Sequence, residues 1–186
     1  MILLITGLLL FLGPHLLREF GLRDRLLAAA PSQGVYRACY SLLALAGIVL
    51  IAFGKGKAGF YMMWEPMFEL RYISHILMLP ACILLVAGNT PTSHMRKQLR
   101  NPMLLGVTLW GLAHLWANGD LASMLLFGSF TLWAGFKFVA LGLEKGAVNG
   151  SAAIVWDIVS VIGGLVLYAF IGIYHGPLFG IGLSFA

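Results

Sequence analysis

The sequence predicts an all-α, polytopic integral membrane protein, a bundle of about six transmembrane helices. Three observations predict it. Of 186 residues, 60% are hydrophobic and 10% are charged, where a soluble domain carries roughly 25% charged residues. So few polar side chains cannot cover a globular surface. The apolar residues fall in long continuous runs, whereas the strands of a membrane barrel alternate over about ten residues. The Lys and Arg residues cluster between those runs, the pattern that orients a membrane protein. No long basic stripe with interleaved aromatics exists, so nucleic acid is excluded as a partner and membrane lipid is expected. Cys39 and Cys82 both fall in apolar segments, without CxxC or Cys/His spacing.

A spanning helix needs roughly 17–25 mainly apolar residues. Six segments meet or approach this: Ile2–Phe20, Val35–Phe53, Tyr72–Gly88, Pro102–Asn118, Leu121–Leu141 and Ala152–Tyr174. The first has no basic residue before its apolar run, and its arginines follow that run. This is the wrong charge order for a signal peptide, so a retained span is expected. Pro14 weakens its backbone ladder and favours a kink. The third segment is among the shortest and contains Pro80. The fourth and fifth are joined only by Asn118-Gly119-Asp120. Gly119 suits a left-handed C-cap and Asp120 the N-cap of the next helix, which predicts an antiparallel helical hairpin. The fifth and sixth segments are the cleanest. Near the end of the sixth, Gly172, Gly176 and Gly180 are four apart, a spacing that lets helices approach closely. One transmembrane domain is expected to account for residues 1–186.

Charge orients the bundle. Arg18, Arg23, Arg25, Arg37, Arg96, Lys97, Arg100, Lys137 and Lys145 fall on one side, against Lys55, Lys57 and Arg71 on the other. The positive-inside rule then puts the odd-numbered connections in the cytoplasm and both termini outside, in the periplasm of a Gram-negative bacterium.

Ionisable groups at membrane depth are expensive and are functional candidates. His94 lies in a basic connection and reads as a solvated loop residue. His114 shares a helix face with Trp110 and Asn118, one turn to either side. It either fixes helix packing through a hydrogen bond or serves as a ligand or proton-transfer group. His15 follows Pro14, where a kink beside an imidazole makes a cofactor pocket plausible. His75 and His175 are expected near the outer interface. Asp157 and Lys137 sit near helix ends, where they could pair, or Lys137 could snorkel. The Met and Trp residues of YMMWEPM read as an interfacial loop. No nucleophilic triad, phosphate loop or paired-carboxylate site is present, so any chemistry rests on the histidines and what they hold.

The segment LRNPMLLGVTLWGLAHLWANGDLASMLLFGSF resembles the NnrU family of bacterial membrane proteins. GLLLFLGPHLLREFGLRDRL, RYISHILMLPACILLVAG and the YHGPLFGIG end fit the same family, so the resemblance covers essentially the whole chain. It implies a bacterial inner-membrane protein linked to nitrogen-oxide metabolism and denitrification. The family is also similar to the plant 15-cis-zeta-carotene isomerase, an integral membrane enzyme that binds haem b. That similarity implies an apolar polyene substrate, a redox partner, and His15 and His114 as metal ligands. The chain departs from many relatives at Asn101, where they carry His.

At about 1.5 Å per residue, His15 lies about 20 Å from the outer end of its helix and His114 about 6 Å from the outer end of its own. By depth alone, His75 and His114 are the better-matched pair. Asn118 is expected to position the His114 ring or cap the hairpin. The alternative from a different class is a non-enzymatic accessory protein or small transporter, whose histidines only pack helices or relay protons.

Overall fold

Caps and glycines, more than hydropathy, set where the helices begin and end. The computed structural model describes residues 1–143, 150–180 and 183. Among them are eight helices: α1 (Ile2–His15), α2 (Arg23–Ala29), α3 (Gln33–Gly56), α4 (Tyr72–Ala87), α5 (His94–Leu99), α6 (Pro102–Ala117), α7 (Leu121–Leu143) and α8 (Ile154–Phe179). A single 3₁₀ turn covers Phe68–Leu70. No strand occurs among the described residues, and the all-helical class holds.

The first apolar segment does not run as a helix to Phe20. α1 stops at His15, one residue past Pro14. The amides of Leu16 and Leu17 turn back to the Gly13 and Pro14 carbonyls at 3.0 and 3.3 Å, a tighter three-residue spacing. Gly21, at φ +65°, then reverses the chain before α2. α3 starts earlier than its apolar run because Ser32 caps it, accepting the Val35 amide at 3.2 Å. α8 continues past Tyr174 to Phe179, where Gly180 at φ +77° returns its amide to the Gly176 carbonyl at 2.8 Å. Gly180 is therefore a helix stop and not a packing position.

α3, α7 and α8 are long and apolar enough to cross a membrane by length and composition. α1, α4 and α6 are apolar but shorter, with 14, 16 and 16 residues. At 1.5 Å per residue the longer two reach about 24 Å, against a hydrocarbon core of about 30 Å. The outward surface is apolar: Ile2, Leu132 and Ile173 are more than 70% exposed. Such a surface is stable against lipid and not against water. The chain is a membrane protein.

The described chain forms two compact units. The first comprises Met1–Glu65 with Asn118–Ser129, and the second Pro66–Ala117 with Phe130–Ala186. In the first, α1 packs on α3. Their backbones meet across glycines: a Cβ on Gly47 would stand 2.8 Å from the Phe11 amide nitrogen, and one on Gly54 would collide with the Leu4 backbone. The same unit holds the interhelical turn. Gly119 accepts amides from Met63 (2.8 Å) and Trp64 (3.2 Å), and the Leu121 amide reaches the Tyr61 carbonyl at 2.9 Å. The turn is as short as its sequence predicts, but Gly119 is not among the positive-φ residues. A backbone bridge to residues 61–64 holds it in place of a left-handed cap. Asp120 does cap α7, taking the Ser123 amide at 3.0 Å.

In the second unit α4 packs against both α6 and α8. Gly106 of α6 lies against the Ala81 carbonyl, and Gly164 of α8 against the backbone of Ile83. Small residues let these helices approach closely, as membrane helix pairs require. Arginines near α5 tie down backbone carbonyls: Arg96 donates to the Thr90 carbonyl, beyond the end of α4, at 2.6 Å, and Arg100 caps the last turn of α7 at the Leu141 carbonyl at 2.9 Å. Asp157 does not pair with Lys137. It accepts the His94 and Met95 amides at 3.0 and 2.9 Å and the His94 ring at 2.8 Å, holding the start of α5. Lys137 instead stands 5.8 Å from the Trp133 ring centroid. Asp157→Asn should speed amide exchange at His94 and Met95 several-fold while leaving the middle of α8 unchanged. Equal exchange in variant and parent would remove Asp157 from this role.

Candidate functional site

His114 sits one turn from the end of α6 and is half-buried. Its Nδ1 lies 2.8 Å from the carbonyl oxygen of Trp110. A carbonyl only accepts, so Nδ1 carries the proton and donates. In the neutral ring the lone pair is then on Nε2, the tautomer suited to binding a metal. His15 shows the same device: its Nδ1 lies 2.6 Å from the Phe11 carbonyl. In both, the helix's own backbone four residues back fixes the ring.

The second unit holds α6 in a fixed rotation. Ser74 Oγ of α4 donates to the Ala113 carbonyl at 2.9 Å, next to His114 in the chain. Trp116 Nε1 donates to the Leu70 carbonyl at 3.0 Å. At the other end Asn101 Oδ1 accepts the Leu104 amide at 3.3 Å, with Pro102 as the first helical residue. Asn101 is thus the cap of the helix that carries His114.

Aromatic rings line the imidazole. Trp110 lies 5.0 Å from His114 between centroids and meets Phe130 edge-on at 5.8 Å. Across from α6, His175 of α8 lies 6.5 Å from His114, with the two planes inclined by 26°. Phe179 flanks His175 at 5.0 Å. The sequence placed His175 near an interface and did not join it to His114. The only local sign was a histidine two residues before Pro177, inside an apolar helix.

The remaining sequence candidates fall elsewhere. His75 of α4 has the Tyr168 hydroxyl of α8 at 3.4 Å from its Nδ1, a long contact that links the two helices. His15 belongs to the first unit, among Phe11 at 4.6 Å and Tyr40 at 5.1 Å. Asn118 is half-buried in the short turn and also belongs to the first unit. The strongest polar cluster there was not anticipated. Lys55 Nζ at the end of α3 lies 2.9 Å from Asp120 Oδ1 and 2.8 Å from Ser123 Oγ. Among the described residues no group of three or more His, Cys, Asp or Glu converges as a metal cage. The donor groups present are imidazoles, and the His15 and His114 rings are each oriented by a carbonyl of their own helix.

No curated protein and no solved structure matches the chain. A family profile described as NnrU protein matches residues 3–183, nearly the whole length. With oriented histidines on an all-helical membrane scaffold and a match of that extent, the chain belongs to the NnrU family.

Proposed function

We propose that this protein binds haem b through His114 and works as a membrane polyene isomerase or redox protein, with a role in nitrogen-oxide metabolism. The observation that carries the reading is the His114 ring itself. Its Nδ1–H is committed to the Trp110 carbonyl at 2.8 Å, which leaves Nε2 as the coordinating nitrogen. The resemblance names His15 as partner, and the Nδ1 of its ring is likewise tethered, to the Phe11 carbonyl at 2.6 Å. Depth favours His75 instead. When bound, haem iron supplies one-electron exchange and a Lewis-acid position. The chain's own residues orient the imidazoles, exclude water with Trp110 and Phe130, and offer an apolar surface on which a polyene could lie.

In this reading all six apolar helices span the bacterial inner membrane. Both termini are periplasmic, and the α5 connection with its arginines is cytoplasmic. The shorter spans match the hydrocarbon core through local thinning of the bilayer and snorkelling of flanking residues.

The test is the visible spectrum of detergent-purified protein from cells supplied with haem. A Soret band is expected, and His114→Ala should lose or shift it. Lack of a band in the parent would leave the accessory-protein reading, in which contacts such as His75 to Tyr168 only pack helices. Isomerisation of a cis-polyene is a separate measurement, since binding a cofactor does not establish a reaction.

A further inference from the structure

We propose that α2 is an interfacial helix that lays an apolar face into one leaflet and binds the headgroup phosphate of anionic phospholipid through Arg23 and Arg25. This needs only the membrane class of the chain and holds whether or not haem binds. α1 and α3 run antiparallel, since Gly54 meets Leu4 at one end and His15 lies 5.1 Å from Tyr40 at the other. The chain between them therefore joins two apolar helices at one membrane surface. α3 begins at Gln33, seven residues before Tyr40, so it extends about 10 Å past the end of α1 at 1.5 Å per residue. With 24 residues it reaches about 36 Å, more than the hydrocarbon core of about 30 Å. Gly21 turns the chain at this level, and α2 packs on α3. That places α2 at headgroup depth.

No residue of α2 is buried. At about 100° per residue, Leu22, Leu26 and Ala29 share one face of the helix and its cap. Leu22 and Leu26 are 41% and 46% exposed, and Phe20, just before them, is 68% exposed. Arg25 and Arg23 fall on the two flanks of this face. Asp24 falls opposite, with its side chain 90% exposed. Arginines on the flanks and an acid on the far side suit a helix lying in a membrane surface. The leucines enter the acyl boundary, and the arginine stems run along it to the phosphates. In water the apolar face would stay uncovered, and in hydrocarbon Asp24 would be stranded. Headgroup depth satisfies both. Charge then selects the lipid. Arg18, Arg23, Arg25 and Arg37 outnumber Glu19 and Asp24 around this connection. The contact of Arg23 with Asp24 is 3.6 Å long and open to solvent, so it neutralises little. A zwitterionic headgroup carries its own cation beside the phosphate, so an anionic one is preferred by a guanidinium.

The experiment uses the full chain in phosphatidylcholine vesicles with a minority of phosphatidylglycerol. Cys39→Ser and Cys82→Ala clear the native thiols, and a fluorophore is attached at Leu26→Cys or, on the far face, at Asp24→Cys. The quencher is a nitroxide near the headgroup, carried by phosphatidylglycerol in one set of vesicles and by phosphatidylcholine in the other. The Leu26 position should be quenched at least about twofold more than the Asp24 position, and at Leu26 phosphatidylglycerol should quench at least about twofold more than phosphatidylcholine. Arg23→Gln combined with Arg25→Gln should bring the two lipids to parity. So should salt of about 1 M, where the Debye length is about 3 Å. The salt measurement keeps both arginines, so a misfolded variant does not decide the question. Equal quenching at the two positions would overturn the buried face. Equal quenching by the two lipids at low salt, or a preference that survives either the glutamines or the salt, would remove the arginines from phosphate binding. No quenching of the Leu26 label by either lipid would mean that water or protein covers this face, and the proposal falls.

Discussion

Gly164→Ala should lower the melting temperature of the protein sharply, and Gly142→Ala should not. A methyl group at Gly164 would collide with the Cα of Ile83 and stand 2.7 Å from its amide nitrogen. These are backbone atoms of α4, so no rotamer change relieves the contact. The helices must separate, with a cost at the upper end of the overpacking range of about 1–3 kcal/mol. Separation also pulls on Tyr168, one turn along α8, whose hydroxyl lies 3.4 Å from His75. At Gly142 nothing lies within 4 Å, and alanine there gains up to about 1 kcal/mol of helix propensity. Gly163→Ala is the graded case, since its new methyl would meet only the Val86 side chain, at 3.1 Å. Thermal unfolding in one detergent orders the three. A Gly164→Ala melt equal to that of the parent would mean that α4 and α8 do not meet at this glycine.

Asp120→Ala should destabilise the first unit by about 1–2 kcal/mol, made up of a lost helix cap near 1 kcal/mol and a partly screened ion pair. The carboxylate takes the Ser123 amide at 3.0 Å and Lys55 at 2.9 Å. It is nearly buried, while Lys55 is 34% exposed, which is why the pair contributes less than a fully buried one. Burial pushes the Asp120 carboxyl up, but the Ser123 hydroxyl, Lys55 and the Ser123 amide outweigh it and hold the group below its ordinary 3.8. A depressed carboxyl stabilises the fold above the unfolded value, and that contribution is lost as pH falls through the folded one. Acid titration of the parent should therefore show a loss of stability below pH 3.8 that Asp120→Asn lacks. Parallel acid profiles for the two proteins would remove this ion pair as the source.

The membrane class, the helical class and the positions of the apolar helices were legible because they depend on local composition and run length. Helix ends were less so. His15 ends α1 because the chain tightens after Pro14 and turns at Gly21, whereas hydropathy continues to Phe20. Asp120 read correctly as a cap because its partner amide is three residues away. Gly119 did not, because residues 61–64 hold the turn from far along the chain. Asp157 met the start of α5 and not Lys137 for the same reason, since its partners are more than sixty residues distant.

The histidines divide along this line. Sequence by itself determined that His15 and His114 are polar groups inside apolar helices, each within one turn of the carbonyl that fixes its tautomer. That hydrogen bond is local and follows from helix geometry. Only the tertiary structure decided that His175 faces His114, that Lys55 meets Asp120, and that glycines let α4 and α8 touch. Such pairings depend on the rotation and depth of whole helices against one another. In an apolar chain those are set by close packing of small residues, a property of two surfaces together that neither helix carries alone.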